Sequence, residues 1–520
     1  MKRFLVSLFA LGITALNAQK NTLLDQTFWR SNPNLEAVQA EIAKGSNPSE
    51  FNRNMFDPVV LAINNQASTE VIKFLIDQKG NEPNKLTHDG RTYIFWAAAR
   101  GNVDVVDYLI SKGTNVNIID SHSATAISFA ASGGQQNTKV YDALIKAGSD
   151  VKQKSQEGAS LLLQTIASDK DFVLTNYFIS KGLSLLDVDA AGNTAFNYVA
   201  RTGNIDLMKT LIEKGVKYNN NAMILAAQGG RGAATKLEVY QYLESLGIKP
   251  NAVNANGENA LHALARKPNQ NAIISYFLSK GTDVNQADND GNTPFMLAAG
   301  FNRDTTAINL FAAGVKNINQ ANKKGLTALA MATRNNSADV MQYLIAKGAN
   351  VNTVDKEGNN LAYYWLQSYS PFALLGREGG RPEGGRPEGA PNGGGRPQEL
   401  SALKADAFNA KMQVLQDKGF NITTPQKDGS TLYHLAITKN DLGLLKRIEP
   451  LKVDVNVKNK EGLTPLLKAA MVAKDDIILK YLLSIGAKKE ATTDFKETAY
   501  DLAKENEFLT KNKISIDFLK

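Results

Sequence analysis

Four histidines are the natural starting point for acid–base or metal chemistry, because imidazole is the side chain that titrates near neutral pH. Neither His262 nor His434 is accompanied by a second His or an Asp at the spacing of a metal site. His88 and His122 stand in turn-like segments, where exposed side chains are expected. The chain contains no cysteine, which excludes disulfides, thiolate catalysis and thiolate metal ligands.

Glycine-rich and Asp/Asn-rich segments could in principle bind phosphate or calcium. Gly229-Gly230-Arg231-Gly232 follows a predicted helix and lacks the G-K-[ST] ending of a phosphate-binding loop. Asp288-Asn289-Asp290-Gly291 resembles the start of a calcium loop, but no Glu stands at its twelfth position. A tight Asp-Gly turn explains this segment better. We therefore expect no catalytic residues, no cofactor and no metal site, and we predict that the protein is not an enzyme.

The elements that position these residues belong to a repeated unit, best seen in residues 288–317. An Asp-Gly turn precedes a short apolar helix that begins at Thr293 and Pro294, and a second apolar helix stops at Gly314. A glycine there suits the left-handed conformation that follows many helices. Such glycines recur at intervals of 32 to 35 residues, at Gly80, Gly113, Gly148, Gly182, Gly215, Gly247, Gly281, Gly314 and Gly348.

This pattern resembles the ankyrin repeat, whose period is near 33 residues and whose first helix begins with a T-P-L-H-x-A signature. The resemblance implies an all-α repeat solenoid of helix-turn-helix pairs with β-hairpin fingers, comprising about 12 units and a degenerate cap at each end. His262 and His434 occupy the histidine position of the signature. For both, the resemblance implies a structural role, hydrogen bonding to the finger backbone.

Charge and hydropathy limit the possible partners and compartments. Lys and Arg number 59 against 51 acidic residues in a chain of 520, and the two signs are interspersed. We therefore expect no nucleic-acid binding, which needs clustered charge with interleaved aromatic residues. Residues 1–18 have a basic start, a short apolar core and a small residue, Ala18, typical of a cleaved secretory signal. No later run is long and apolar enough to predict a membrane helix, so we expect a periplasmic or secreted protein.

Composition also suggests the boundaries along the chain. We predict an N-terminal capping unit at 19–55, repeats at 56–369 and 401–493, and a C-terminal capping unit at 494–520. Residues 370–400 are rich in Gly, Arg, Pro and Glu and are predicted to form a disordered insertion inside one repeat. This insertion could be a neutral product of tandem slippage. Similar segments about 99 residues apart suggest a larger block of three units, although chance similarity among repeats would look the same.

The remaining candidates for function lie on the surface. In the ankyrin geometry, the first helices line a concave groove and the fingers project beyond it. The groove is predicted to present Arg100, Arg201, Arg266, Lys267, Phe301, Arg334 and Lys439. The finger tips are predicted to present Asp89, Arg91, Glu258, Asp290, Lys323 and Lys324. A groove lined by one sign of charge attracts an opposite partner, but a cation at a helix end also favours the helix dipole.

The sequence thus predicts a monomeric, non-enzymatic scaffold in the periplasm that binds partner proteins, acidic ones in particular, through its groove and fingers. The alternative is a secreted effector or toxin-associated binding protein that acts outside the cell. The sequence does not name the partner.

Overall fold

Pairs of short helices joined by turns form most of the protein in the computed structural model, which describes residues 21–230, 235–369 and 397–520. These residues form α-helices and short 3-10 turns, with two isolated β-bridges and no β-strand among them. The chain divides into two compact units, Met1–Arg231 (unit 1) and Gly232–Lys520 (unit 2). The predicted all-α helix-pair architecture is confirmed, whereas the fingers of the described residues are turns rather than β-hairpin strands.

The helices of unit 1 alternate between first and second members of each pair. They are α1 Gln26–Arg30, α2 Leu35–Ala43, α3 Pro58–Asn64, α4 Thr69–Ile76, α5 Tyr93–Ala99, α6 Val103–Ser111, α7 Ala126–Ser132, α8 Thr138–Lys146, α9 Leu161–Thr165, α10 Val173–Ser180, α11 Ala195–Ala200, α12 Ile205–Glu213 and α13 Asn221–Gln228. The odd-numbered helices are first helices and the even-numbered ones are second helices.

Unit 2 begins with a second helix and continues in the same order. Its helices are α14 Leu237–Ser245, α15 Ala260–Leu264, α16 Asn271–Ser279, α17 Pro294–Phe301, α18 Thr305–Ala312, α19 Ala328–Asn335, α20 Ala338–Ala346, α21 Leu361–Gln367, α22 Pro397–Asp417, α23 Leu432–Ile437, α24 Leu442–Ile448, α25 Pro465–Val472, α26 Ile477–Ser484, α27 Ala499–Glu505 and α28 Glu507–Lys511.

Stacking of like helices buries the apolar core in each unit. In unit 1, α3, α5, α7, α9, α11 and α13 contact one another in succession, and α2, α4, α6 and α8 do the same beside them. In unit 2, the first helices from α15 to α27 form the corresponding series. First helices between α3 and α25 are largely buried, because they pack against neighbours on both sides and against their own second helix. This arrangement leaves mainly their C-terminal ends exposed.

The threonine that opens the first-helix signature caps the helix. In α17, the Thr293 hydroxyl accepts a hydrogen bond from the Met296 amide at 3.2 Å, and Pro294 takes the first helical position, where no amide hydrogen is required. Thr327 and Thr464 cap α19 and α25 in the same way. Helix capping therefore explains the threonine at these three positions, whereas Thr92 and Thr194 make no side-chain cap hydrogen bond.

The fingers, the turns that lead into each first helix, are held by an Asp or Asn side chain. Asp288 Oδ1 accepts hydrogen bonds from the amides of Asp290 at 2.9 Å and Asn292 at 2.7 Å, and the Gly291 amide bonds the Asp288 carbonyl. The Lys323 amide of the next finger donates to the Asp290 carbonyl at 2.8 Å. The Asp/Asn cluster thus forms a local turn, as the sequence indicated.

Eight of the nine predicted second-helix glycines adopt positive φ angles, between +75° and +105°. Gly314 is the exception, and the prediction of a left-handed conformation there is wrong. A Cβ at Gly314 would lie 3.0 Å from Val284 Cγ2, so close packing accounts for this glycine. The same residue type therefore serves two purposes at one repeat position.

A contact between neighbouring second helices recurs and was not foreseen. Tyr276 donates its hydroxyl to Glu244 Oε2 at 2.8 Å, and Lys280 Nζ lies 2.6 Å from Glu244 Oε1. The bonds from Lys280 and then Tyr276 hold the pKa of the Glu244 carboxyl below its usual 4.5. The same arrangement joins Asp77 to Tyr108 and Lys112, and Asp142 to Tyr177 and Lys181.

The predicted insertion lies outside the described residues except for its last four. Helix α22 begins at Pro397, so the last four residues of the predicted 370–400 insertion belong to the helix. The first helices α19, α21 and α23 still pack in succession, and α22 packs on α20 and α21. Trp365 donates its indole N–H to the Phe408 carbonyl at 2.9 Å and stacks on the Phe408 ring.

Candidate functional site

The predicted groove cations lie at the C-terminal ends of first helices. Arg100 and Arg201 follow the last residues of α5 and α11 in unit 1. In unit 2, Arg334 lies in the last turn of α19, while Arg266 and Lys439 follow α15 and α23 by two residues. All five are exposed, and a cation in this place is favoured by the helix dipole.

Their described hydrogen bonds lead to neutral groups. Arg100 Nε donates to Asn64 Oδ1 at 3.2 Å, and Arg201 Nε donates to the Gly229 carbonyl at 2.9 Å. Lys439 Nζ donates to Gln367 Oε1 at 2.8 Å in unit 2. Within the described ranges, none of these cations has a carboxylate within 4.0 Å. Hydrogen bonds to neutral groups thus hold the side chains of Arg100, Arg201 and Lys439 in place, and no nearby carboxylate neutralises their charge.

An aromatic residue adds an apolar contact to the surface of unit 2. Phe301, the last residue of α17, is 46% exposed, and the Arg266 guanidinium lies 4.8 Å from the centre of its ring. Such a cation–π contact holds the arginine over the ring while leaving its N–H groups open to a ligand. Lys267, predicted to share this surface, is partly buried, and its carbonyl accepts a bond from Asn302 Nδ2 at 3.2 Å.

Two further cations of this region were missed. Arg303 is exposed on the turn between α17 and α18. Lys411, on α22, is only 7% exposed and donates to the Thr333 carbonyl at 2.9 Å. Burial, and then the charge of Arg303, lower the pKa of the Lys411 amine to about 8. Lys411 could have been found from its register, since it lies eight residues before a second-helix glycine, where most other repeats carry apolar residues.

The predicted finger residues differ in exposure. Asp290, Lys323 and Lys324 are exposed at the finger tips of unit 2. Glu258 is half-buried, and its carboxylate accepts a bond from Asn254 Nδ2 at 3.0 Å within its own finger. Asp89 is held by neighbouring side chains and is discussed with Arg91 below. Of the four finger residues predicted for unit 2, Asp290, Lys323 and Lys324 are therefore the ones open to a partner.

Arg91 is not the exposed finger-tip residue that the sequence suggested. It is 9% exposed, and its Nε lies 2.7 Å from the fully buried Asp120 Oδ2 of the next finger. Its guanidinium also lies 3.2 Å from Asp89 Oδ2 and packs over the Phe129 ring. Arg91 therefore joins two fingers of unit 1, because a buried carboxylate needs a paired cation.

His262 and His434 lie where the resemblance implies. His434 Nδ1 accepts the Thr431 amide at 3.1 Å, and its Nε2 donates to the Leu463 carbonyl of the next finger at 2.8 Å. His262 bonds the Asn259 amide and the Asn292 carbonyl in the same manner. Burial is the largest cause that lowers the pKa of both imidazoles, so each is neutral with its proton on Nε2.

The described residues contain no group of three or more His, Cys, Asp or Glu side chains that could hold a metal ion. His88 and His122 both approach Asp89 Oδ2, at 3.4 and 3.2 Å, on the outside of two fingers. Among the helices that the structure describes, none has the length and apolar character required to cross a bilayer.

This architecture defines a helix-pair repeat protein whose first-helix ends and fingers are displayed. Family models for ankyrin repeats match residues 31–120, 59–155 and 223–319 as groups of three copies, and residues 191–233 and 324–356 as single repeats. Together the matches cover more than half of the chain. The protein belongs to the ankyrin repeat family.

Curated relatives share the repeats at low identity. The chain is 21% identical over 457 residues to Transient receptor potential cation channel subfamily A member 1 of Homo sapiens, covering 87% of this chain and 32% of that protein. It is 26% identical over 312 residues to Alpha-latroinsectotoxin-Lt1a of Latrodectus tredecimguttatus, covering 57% and 21%. It is 28% identical over 121 residues to RelA-associated inhibitor of Mus musculus, covering 23% and 14%. The chain thus spans less than a third of each.

Proposed function

We propose that this protein is a non-enzymatic ankyrin scaffold that binds partner proteins through its first-helix ends and fingers. Ankyrin repeats are protein-interaction modules, and the name of one relative, RelA-associated inhibitor, describes association with another protein. The observation that carries the proposal is the set of exposed cations at first-helix ends, none with a carboxylate within 4.0 Å in the described parts of the chain. Such groups attract a charged partner without a cost for breaking existing ion pairs.

The site of action is proposed to be the periplasm. The support is the secretory pattern of residues 1–18, which lie outside the described residues. Cell fractionation, together with mass spectrometry of the mature N-terminus, tests this directly. Recovery of the intact chain in the cytoplasm would contradict export, whereas recovery in the culture medium would favour the secreted effector. Light scattering of the purified protein tests the proposed monomer.

Partner capture tests the binding surface. Native protein should retain partners from a periplasmic extract, and charge reversal at Arg100 and Arg201, or at Arg266 and Arg334, should reduce their recovery about tenfold or more. The control reverses Lys139 and Lys146, exposed residues of the second helix α8, with the same change in net charge. Equal recovery with all variants would remove the first-helix ends from the binding surface.

A further inference from the structure

The first-helix ends of unit 2 follow an ordered chemical series. From α15 to α25, the residue at each end is in turn Arg266, Phe301, Arg334, the half-buried Gln367, Lys439 and the pair Met471 and Val472. Basic residues therefore alternate with uncharged ones along helices that pack side by side. We refer to Arg266, Phe301, Arg334 and Lys439 as the basic row.

The basic row is not neutralised by its surroundings. Within the described residues, Arg266, Arg334 and Lys439 have no carboxylate within 4.0 Å. Two acidic side chains close to the row in sequence serve as helix caps, with Asp304 Oδ1 accepting the Thr306 amide at 2.9 Å and Asp441 Oδ1 accepting the Leu444 amide at 2.9 Å. Arg303 is exposed nearby and adds charge of the same sign. An anionic ligand would therefore gain attraction here without displacing an internal acid.

The distances between the cations of the basic row determine how far apart the charged groups of a ligand must lie. Neighbouring packed helices lie about 8–10 Å apart, so Arg266 and Arg334, two repeats apart, are separated by about 20 Å, as are Arg334 and Lys439. An extended polypeptide advances about 3.3 Å per residue, so about six residues span each interval. Phe301 ends the helix that lies between those of the two arginines, and the Arg266 guanidinium reaches to 4.8 Å from the centre of its ring.

We propose that the basic row binds an acidic segment of a partner protein in extended conformation, with carboxylates at six-residue intervals and an apolar residue between the first two. The proposal rests on the proposed function and specifies its partner. The two carboxylates would meet Arg266 and Arg334, the apolar side chain would cover the exposed Phe301 ring, and a third carboxylate would meet Lys439. Arginine, with its planar fork of donors, is suited to binding carboxylates.

The same geometry disfavours nucleic acid and anionic lipid. Three cations over about 40 Å match sparse carboxylates, whereas double-stranded DNA carries one charge per about 1.7 Å of axis. Phe301 is the single exposed aromatic residue in the row, so it provides no platform for stacking successive bases. The basic row therefore fits a polypeptide with few, spaced charges.

A pair of synthetic peptides tests the spacing. The matched peptide has the pattern E-x-x-F-x-x-E-x-x-x-x-x-E, with small neutral residues at x, and the control peptide has the same composition with the three Glu adjacent. We expect fluorescence anisotropy to show at least about tenfold tighter binding of the matched peptide at moderate salt. Equal affinities would overturn the register, as would tighter binding of a single-stranded oligonucleotide or of phosphatidylglycerol vesicles.

Matched variants distinguish the effect of the basic row on peptide binding from the effect of the protein's net charge. Arg266→Glu, Arg334→Glu and Lys439→Glu combined should abolish binding of the matched peptide, and Phe301→Ala should weaken it about fivefold. Lys347→Glu, Lys418→Glu and Lys446→Glu combined change the net charge equally but lie on or just after second helices, so binding should stay within about twofold. Equal losses in both triple variants would contradict the proposal.

Partner capture distinguishes this proposal from the function on which it rests. If charge reversal of the row lowers capture of native partners while neither peptide binds, the scaffold function stands and the proposed segment is wrong. If capture is unaffected by any first-helix variant while the matched peptide binds the native protein specifically, the row recognises this chemistry and the general surface assignment fails.

Discussion

The amine of Lys411 lies 2.9 Å from the carbonyl oxygen of Thr333, buried between two repeats of unit 2. The residues at the same distance before the other second-helix glycines of unit 2 include buried aliphatic side chains, at Val239, Ile273, Val340 and Ile478. Thr333 is near the C-terminal end of α19, where backbone carbonyls lack helical partners. The ammonium group of Lys411 thus takes the place of an aliphatic side chain in the core. It donates a hydrogen bond to a backbone carbonyl near the end of α19.

Replacing Lys411 with Met should stabilise the protein by about 2 kcal/mol, because the cost of burying the ammonium exceeds the value of one hydrogen bond. Burial lowers the folded-state pKa from 10.5 to about 8, so the unfolded chain binds more protons between these values. Native stability therefore rises with pH over that window. The advantage of Lys411→Met should be full below pH 8 and shrink toward pH 10.5.

Urea unfolding of both proteins across this pH range measures the difference. Lys418→Met, an exposed lysine just beyond the same helix, is the control and should change stability by less than about 0.5 kcal/mol. A less stable Lys411→Met would show that the bond to Thr333 outweighs the desolvation of the amine.

The placement of Lys411 shows what the sequence reveals and what it hides. Its register relative to Gly419 identifies a core position, because the repeat period fixes which residues of a second helix face inward. Its hydrogen bond to Thr333, 78 residues earlier, could not be inferred, because it depends on how α22 packs after the insertion. Helix α22 begins at Pro397, before the predicted end of the insertion at residue 400, because the residues that follow Pro397 favour a helix.

Replacing Asp169 with its amide, Asn, should stabilise the protein. Its Oδ2 accepts the Thr175 amide and hydroxyl, both at 2.7 Å, while its buried Oδ1 has no hydrogen-bond partner among the described residues. Asp169→Asn removes a desolvated charge without changing shape, and we expect a gain of about 1 kcal/mol in a thermal or urea melt. A loss would mean that the carboxylate is stabilised by its surroundings.

The reverse substitution, Asn to Asp at another buried position, provides the control. Asn336 lies on another inter-helix turn, and its Nδ2 donates to the carbonyls of Ala299 at 2.8 Å and Asn302 at 2.6 Å. Asn336→Asp should destabilise unit 2 by about 2–4 kcal/mol, because it turns a buried donor into a charged acceptor facing two carbonyls. Similar effects of the two substitutions would contradict this account.

The histidines of the first-helix signature should make stability depend on pH. Burial lowers the pKa of His262 and His434 below the usual 6.5, so both contribute stability that is present above pH 6.5 and lost as pH falls through the folded-state values. Replacing both with Gln should cost about 1–2 kcal/mol per site at pH 7.5, and the difference from the native protein should narrow under acid.

Denaturant titrations at pH 7.5 and pH 5 test this expectation. His122→Gln is the control, since this side chain is exposed on its finger and should change stability little at either pH. A difference between native protein and double variant that stays constant with pH would contradict the linkage.

The surroundings of a predicted site residue follow from the sequence when its contacts lie within features that the repeat fixes. The structural roles of His262 and His434 follow from contacts within one finger and the next, which the repeat fixes. The finger position of Arg91 is equally local, but its burial depends on its ion pair with Asp120, which the next repeat supplies. Pair contacts between repeats vary from one interface to another, so the period alone does not predict them.

The finger glycines of unit 1 offer a matched test of finger stacking. Gly158 and Gly192 occupy the same position in successive repeats, with φ angles of +81° and +76°. A Cβ at Gly158 would lie 2.8 Å from the amide nitrogen of Ala190, whereas a Cβ at Gly192 would meet nothing within 4 Å. Substitution by Ala strains both backbones alike, by about 1 kcal/mol, so the difference between the two variants isolates the contact between fingers.

We expect Gly158→Ala to be less stable than Gly192→Ala by about 1–3 kcal/mol in urea unfolding, because backbone rather than a movable side chain blocks the added methyl group. Equal destabilisation by the two substitutions would show that the fingers separate at little cost, and that the backbone bond from Ala190 to the Glu157 carbonyl contributes little to stacking.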